Sequence, residues 1–122
     1  MQKTVLKKKF RLQTNSSFRA TYFQNKVAAD EFFVLYAGKT KENITDNTRA
    51  GFVVSKKVDK RSTVRNKIKR RLREAYFEYM KQNEIKYMSL IFIAKEKAKE
   101  ASYFDTLKSV NKLIAKIANK FI

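Results

Sequence analysis

The segment from Val64 to Tyr79 sets the tightest limit on the fold. Val64, Ile68, Leu72, Ala75, Tyr76 and Tyr79 recur at helical spacing, so they form one apolar stripe of an α-helix. The same stretch crosses the densest charge of the chain. Ten of the 18 residues from Lys56 to Arg73 are Lys or Arg, against about four expected from the chain average, and Asp59 is the only acid among them. A stripe that continues through such a run needs a core to lie on. The segment is therefore a packed helix over about 62–81 and not a disordered basic tail, with Ser62 as its N-cap and an end near Asn83. At about 100° per residue, Arg65, Lys69 and Arg73 line one flank of the stripe. Asn66 and Arg70 lie next to them, and Lys67 and Arg71 fall towards the other side.

That helix sits among short apolar runs of a different period. Glu31 to Ala37 reads as a strand, with Phe32, Val34 and Tyr36 on one face and Phe33 and Leu35 on the other. Arg49 to Ser55 reads as a second strand, and Tyr87 to Ala94 as a third, central one. The polar stretch 38–48 between the first two suggests an antiparallel hairpin, although it is longer than a tight hairpin needs. The strands at 49–55 and 87–94, joined through the long helix, should run parallel in one sheet. A short helix over about 16–25, preceded by the capping candidates Thr14 to Ser17, places Phe18 and Tyr22 on one face. A second long helix over about 102–121 turns Val110, Leu113, Ile114, Ile117 and Phe121 inward. Its Lys108, Lys112, Lys116 and Lys120 form a solvent stripe. The class is α+β in the order α-β-β-α-β-α, with room for an extra short strand near 26–28: a small mixed sheet of about four strands with helices packed on it.

Length and composition limit the function. A chain of 122 residues with 43% apolar side chains is one domain with one real core, spanning 1–122. It has no His and no Cys, which removes Cys/His zinc sites, thiol chemistry, disulfides and His-based acid–base catalysis. With two Gly and no Pro, no Gly-rich loop cradles a nucleotide phosphate. No apolar run approaches a membrane span, and no secretory signal follows the basic start, so a soluble cytoplasmic protein is expected. The 11 acids include no convincing metal site. Asp30 and Glu31 would point to opposite sides of a strand, and Glu74 and Glu78 stand four apart without an acidic cluster around them. Residues 1–11 form a basic arm without an acid, of the kind that is usually mobile.

The excess charge names the partner class. A net charge of +18 repels itself unless an anion neutralises it, and nucleic acid is the leading candidate ahead of an anionic membrane surface. Arg65, Asn66, Lys69, Arg70 and Arg73 make a broad face suited to phosphate oxygens. A solvated face that only keeps the chain soluble would not need this density. A DNA recognition helix would need a partner helix just before it, and none is read there.

Two motifs then carry a resemblance. Arg-Ala-Gly-Phe-Val-Val-Ser-Lys-Lys-Val (49–58) and Val-Arg-Asn-Lys-Ile-Lys-Arg-Arg-Leu-Arg-Glu-Ala-Tyr (64–76) resemble the signature of the bacterial ribonuclease P protein subunit. The likeness covers about residues 6–118, through a Leu-Lys-Lys arm, a short aromatic helix, a Phe-Val-Leu-Tyr strand and a late apolar strand in the family's order. It departs at one point: the family's Arg-Asn-Arg is Arg65-Asn66-Lys67 here, so the charge at 67 is kept without the planar fork.

The resemblance implies an accessory subunit of a ribonucleoprotein that removes the 5′ leader from precursor tRNA. Hydrolysis would belong to an RNA subunit and its Mg²⁺, with no protein catalytic residue and no metal held by the protein. Lys56, Lys57, Arg65, Asn66, Lys67, Lys69, Arg70 and Arg73 would contact that RNA, while Phe18, Tyr22 and Tyr36 would line a cleft for the leader. The residues themselves also allow those three rings to be core. Partners would be the ribonuclease P RNA and precursor tRNA, with no membrane and no small-molecule substrate. The family also implies a left-handed β-helix-β crossover, against the usual rule. A ribosomal or RNA-chaperone protein of the same basic type is the alternative.

Overall fold

The computed structural model describes residues 10–40, 48–83 and 88–119. Helix α1 (Asn15–Phe23) is capped by Thr14, whose side chain accepts from Ser17 N at 3.1 Å. Asn25 then takes φ 53°, a left-handed conformation that Asn tolerates, and turns the chain into β1 (Lys26–Ala29). This is the short extra strand allowed near 26–28. After Asp30 comes β2 (Phe33–Gly38), then β3 (Arg49–Val53), α2 (Ser62–Gln82), β4 (Ser89–Ala94), a 3-10 turn (Glu96–Glu100) and α3 (Tyr103–Ala118).

The four strands form one mixed sheet in the order β1-β2-β4-β3. β1 and β4 each pair antiparallel with β2, and β3 runs parallel to β4. The parallel pairing of the β3-α2-β4 unit is as expected. The hairpin expected between β2 and β3 does not form, because β4 lies between them. The cause is burial: Leu90, Ile91 and Phe92 are fully buried, so β4 needs a hydrogen-bonded neighbour on both edges. The tight hairpin is β1–β2 instead. Its turn is held by Asp30, whose Oδ1 accepts from the backbone N–H of Phe32 and Phe33, both at 2.9 Å.

The register sorts side chains to two faces. Leu35, Phe92 and Phe52 align on one face, and Tyr36, Ile91 and Gly51 on the other. α2 and α3 cover the first. Tyr76 stands edge-on to Phe52 and Phe92, both at 5.9 Å between ring centroids, over a stacked Phe52–Phe92 pair. The α2 stripe is buried at Ile68, Leu72, Ala75 and Tyr76 and half-buried at Val64 and Tyr79. Val110, Leu113, Ile114 and Ile117 of α3 complete the core, while Lys108, Lys112 and Lys116 are exposed. Phe121 and Lys120 lie outside the described residues. α1 packs on the other face, against β2 and β4.

One capping expectation is corrected. The N-cap of α2 is Arg61, without a side-chain cap bond, and Ser62 is already helical. The approach is organised one turn earlier, where Asp59 Oδ1 accepts from Arg61 N at 2.8 Å. Of the basic arm, residues 1–9 lie outside the described residues. Phe10 packs against the core and Arg11 bridges to Ala50 on the β3 edge.

Candidate nucleic-acid interface

The basic surface starts where β3 ends. Val58 is buried and its N–H donates to Ser55 O at 3.0 Å, which folds 55–58 into a turn and leaves Lys56 and Lys57 exposed. On α2, Asn66, Lys67 and Arg70 are exposed, while Arg65, Lys69 and Arg73 are half-buried beside the apolar stripe. The positive end of the α2 dipole lies at the same place and adds to the field of these side chains.

Two charged residues in this stretch also serve the fold. Arg65 Nη1 donates to the carbonyl oxygens of Asp59 at 3.0 Å and Lys60 at 2.8 Å, so its guanidinium closes the turn that leads into α2. Asp59, the lone acid of the run, holds Arg61 through both carboxylate oxygens and lies 3.7 Å from Lys99. The Arg61 guanidinium holds the Asp59 carboxyl far below the usual carboxylate range. Sequence reasoning did not assign Asp59 this role. Nor did it separate Arg71, whose Nη1 donates to Ala101 O at 2.9 Å and ties α2 to the approach of α3.

The second half of the site is built by α1. Its fully buried residues are small: Ser17 and Thr21, with Thr21 Oγ1 donating to Ser17 O at 2.8 Å. The C-terminal end of α1 is clamped to the end of β2, because Gln24 Oε1 accepts from Lys39 N at 2.9 Å and Nε2 donates to Lys39 O at 2.6 Å. The helix therefore lies close over the Tyr36–Ile91–Gly51 row. The next row, Val34–Ile93–Val53, stays half-exposed on the same face. A strip of sheet with an apolar floor thus remains open beside α1.

Phe18 stands at Gly51 and Tyr22 at Tyr36, along the row beside this strip, and all three rings are half-buried. Tyr22 and Tyr36 pack edge to face at 5.0 Å. Burial, and then the neighbouring Tyr36, push the Tyr22 phenol above its ordinary value, so its hydroxyl stays a neutral donor at pH 7. The floor residues Val34, Val53 and Ile93 were not singled out from sequence. Strand alternation hints at them, but only the pairing register places them side by side.

Val53, in this floor row, is the last residue of β3, and exposed Ser55, Lys56 and Lys57 follow it in the chain before α2 begins. Aromatic rings and an apolar floor thus lie on the α1 face of the sheet, and the chain leads from that floor into the two lysines and the basic helix α2. Aromatic side chains beside a charged groove are what stacking on a single strand requires. A cavity of about 450 Å³ lies elsewhere, between Asp30, Phe32, Ser109 and Lys112 on the α3 side. Its acids are already committed: Asp30 to its turn, Glu31 to Lys97 at 2.8 Å, and Asp105 to the capping box of α3. Among the described residues, no three acids gather into a set that would hold a metal ion, and no helix is long and apolar enough to cross a membrane.

Comparison with known proteins points the same way. The family model Ribonuclease P matches residues 6–118. The ribonuclease P protein component of Staphylococcus epidermidis is 37% identical over 119 residues, covering 96% of this chain and 99% of the relative. That of Clostridium novyi is 36% identical over 109 residues, covering 89% and 94%. The solved structure of the Staphylococcus aureus RNase P protein superposes with a TM-score of 0.74 at 32% identity, over 87% of this chain and 93% of that one. With a family match over nearly the whole chain and the same mixed sheet, this chain belongs to the ribonuclease P protein family.

Proposed function

We propose that this chain is the accessory protein subunit of a cytoplasmic ribonuclease P, binding the catalytic RNA with one part of its surface and the 5′ leader of precursor tRNA with the other. Lys56, Lys57, Arg65, Asn66, Lys67, Lys69, Arg70 and Arg73 take phosphates of the RNA subunit. Lys67 serves as a point charge, which a phosphate contact accepts. Phe18, Tyr22 and Tyr36 take the unpaired leader by stacking. The RNA subunit and its Mg²⁺ supply the hydrolysis of one phosphodiester bond, and the protein brings no catalytic group.

The chain's own contribution is electrostatic and positional. Its cations relieve phosphate repulsion between two RNAs, which lowers the Mg²⁺ the complex needs. Only a precursor carries a leader to fill the strip beside α1, so substrate is favoured over mature tRNA. The observation that supports this reading is the Tyr22–Tyr36 pair beside the half-exposed Val34–Ile93–Val53 row, with exposed Lys56 and Lys57 following β3 on the way into the basic helix α2. A ribosomal or chaperone protein needs the basic helix but no cleft joined to it.

Reconstitution tests the proposal. The protein is mixed with a bacterial ribonuclease P RNA and labelled precursor tRNA at low Mg²⁺, and leader release is followed. Cleavage only when both subunits are present, weakened by combined Lys69→Ala and Arg70→Ala, is expected. Tight, salt-sensitive RNA binding without any stimulation of cleavage would move the assignment to the ribosomal or chaperone class.

A further inference from the structure

The outer side of α1 carries a feature that the cleft does not use. Phe23 is 90% exposed, the most exposed of the large apolar side chains among the described residues. Burial in the fold therefore gives it almost nothing. Arg19, four residues earlier, is also exposed and lies on the same helix face. At about 100° per residue, Phe18 and Tyr22 lie beside the buried Ser17–Thr21 face, and Arg19 and Phe23 lie about 100° further round, away from the sheet. The order from the cleft outward is thus Tyr22 and Phe18, then Arg19 and Phe23. The Gln24 clamp brings exposed Lys39 to the same end of the helix.

The chemistry of this corner selects its occupant. No acid occurs in α1, and the exposed charged residues described at this corner, Arg19 and Lys39, are both cations. A second copy of this chain would bring the same positive charge against itself. A polyanion with flat apolar groups meets both requirements, and single-stranded nucleic acid is that polymer.

We propose that Arg19 and Phe23 form an outer contact for single-stranded RNA, in which a nucleobase stacks on Phe23 and a phosphate meets the Arg19 guanidinium. The contact continues the leader track over the outside of α1 beyond Phe18 and Tyr22. It rests on the leader-cleft reading and adds to it a dependence on leader length.

The test is a leader-length series in the reconstituted holoenzyme. Affinity is measured for leaderless tRNA, a precursor whose leader just fills the cleft, and one several nucleotides longer. Phe23→Ala should lose about tenfold on the long leader only, the scale of one stacked base. Phe23→Tyr should retain the affinity and Phe23→Leu should not. Because Phe23 is exposed, thermal unfolding of these variants should match the parent. Phe18→Ala serves as the control for the cleft and should lose affinity on both leaders. Phe23→Ala behaving as the parent at every length, with Phe18→Ala impaired, overturns the outer contact and leaves the cleft standing. A loss at Phe23 that is equal on leaderless tRNA overturns it as well, since the ring would then meet another part of the complex. No loss from Phe18→Ala overturns the cleft reading itself.

Discussion

The Phe18 ring rests on the backbone of Gly51. A Cβ at Gly51 would stand 2.6 Å from Phe18 Cζ, closer than side chains pack. Gly38 is placed in the same way against Gln24, where a Cβ would come within 2.7 Å of Nε2. These are the two glycines of the chain, and neither has positive φ. Both serve the close approach of α1 to the sheet, and so the width of the strip beside it.

Gly51→Ala is therefore expected to lift Phe18 and destabilise the protein by about 1–3 kcal/mol, the range for overpacking a filled site. Urea unfolding measures the loss. Adding Phe18→Leu should recover part of the stability without restoring leader affinity. Unchanged stability in Gly51→Ala alone would mean that the ring moves away without cost.

Adjacent arginines on α2 should behave in opposite ways. Arg70 is exposed, so Arg70→Ala should leave unfolding unchanged while reducing the salt dependence of RNA binding by about one phosphate. Arg71 is tied to Ala101 O, so Arg71→Ala should cost about 1 kcal/mol of stability with little change in that salt dependence. For the parent protein, six to eight neutralised phosphates correspond to a log–log slope of roughly −4 to −7. A slope near zero would contradict the electrostatic account.

The Tyr76 hydroxyl is buried and has no hydrogen-bond partner among the described residues. Tyr76→Phe should therefore be neutral or stabilising by up to about 1 kcal/mol at pH 7. Burial raises the Tyr76 phenol above its ordinary value. Its contribution is thus complete below the unfolded pKa and falls as pH rises towards the folded one. The Phe variant should lose less stability on the alkaline side. A drop of more than about 1 kcal/mol at pH 7 would show that the hydroxyl is satisfied.

At the β1–β2 turn, burial works to raise the Asp30 carboxyl. Hydrogen bonds from the Ser109 hydroxyl and the N–H groups of Phe33 and Phe32, with the charge of Lys112, outweigh it and hold the carboxyl below its ordinary value. The stability it contributes is present above the unfolded pKa and lost as pH falls through the folded one. Asp30→Ala should cost about 1–2 kcal/mol at pH 7 and leave a shallower acid limb than the parent shows. Parallel acid limbs in the two proteins would contradict that role.

What could be read from sequence was local or periodic. The α2 stripe, the inward face of α3 and the alternation of Phe33 and Leu35 against Val34 and Tyr36 follow from side-chain spacing alone. The partner of β2 does not, because β2 pairs with a strand some fifty residues later, and nothing in either run encodes that choice. The basic face of α2 was legible from charge and helical angle. The dual use of Arg65, which also closes the turn at Asp59 and Lys60, needed the turn itself. Val34, Val53 and Ile93 became site residues only through register.

Two parts of this protein are expected to meet two different RNAs, and site-specific crosslinking tests that division most directly. The chain has no cysteine, so one introduced thiol is a unique attachment point for a photo-crosslinker. Tyr22→Cys and Arg70→Cys proteins are labelled, assembled with ribonuclease P RNA and precursor tRNA, and irradiated. Position 22 should capture the leader and position 70 the RNA subunit. Capture of the RNA subunit from position 22, or of the leader from position 70, would contradict the account.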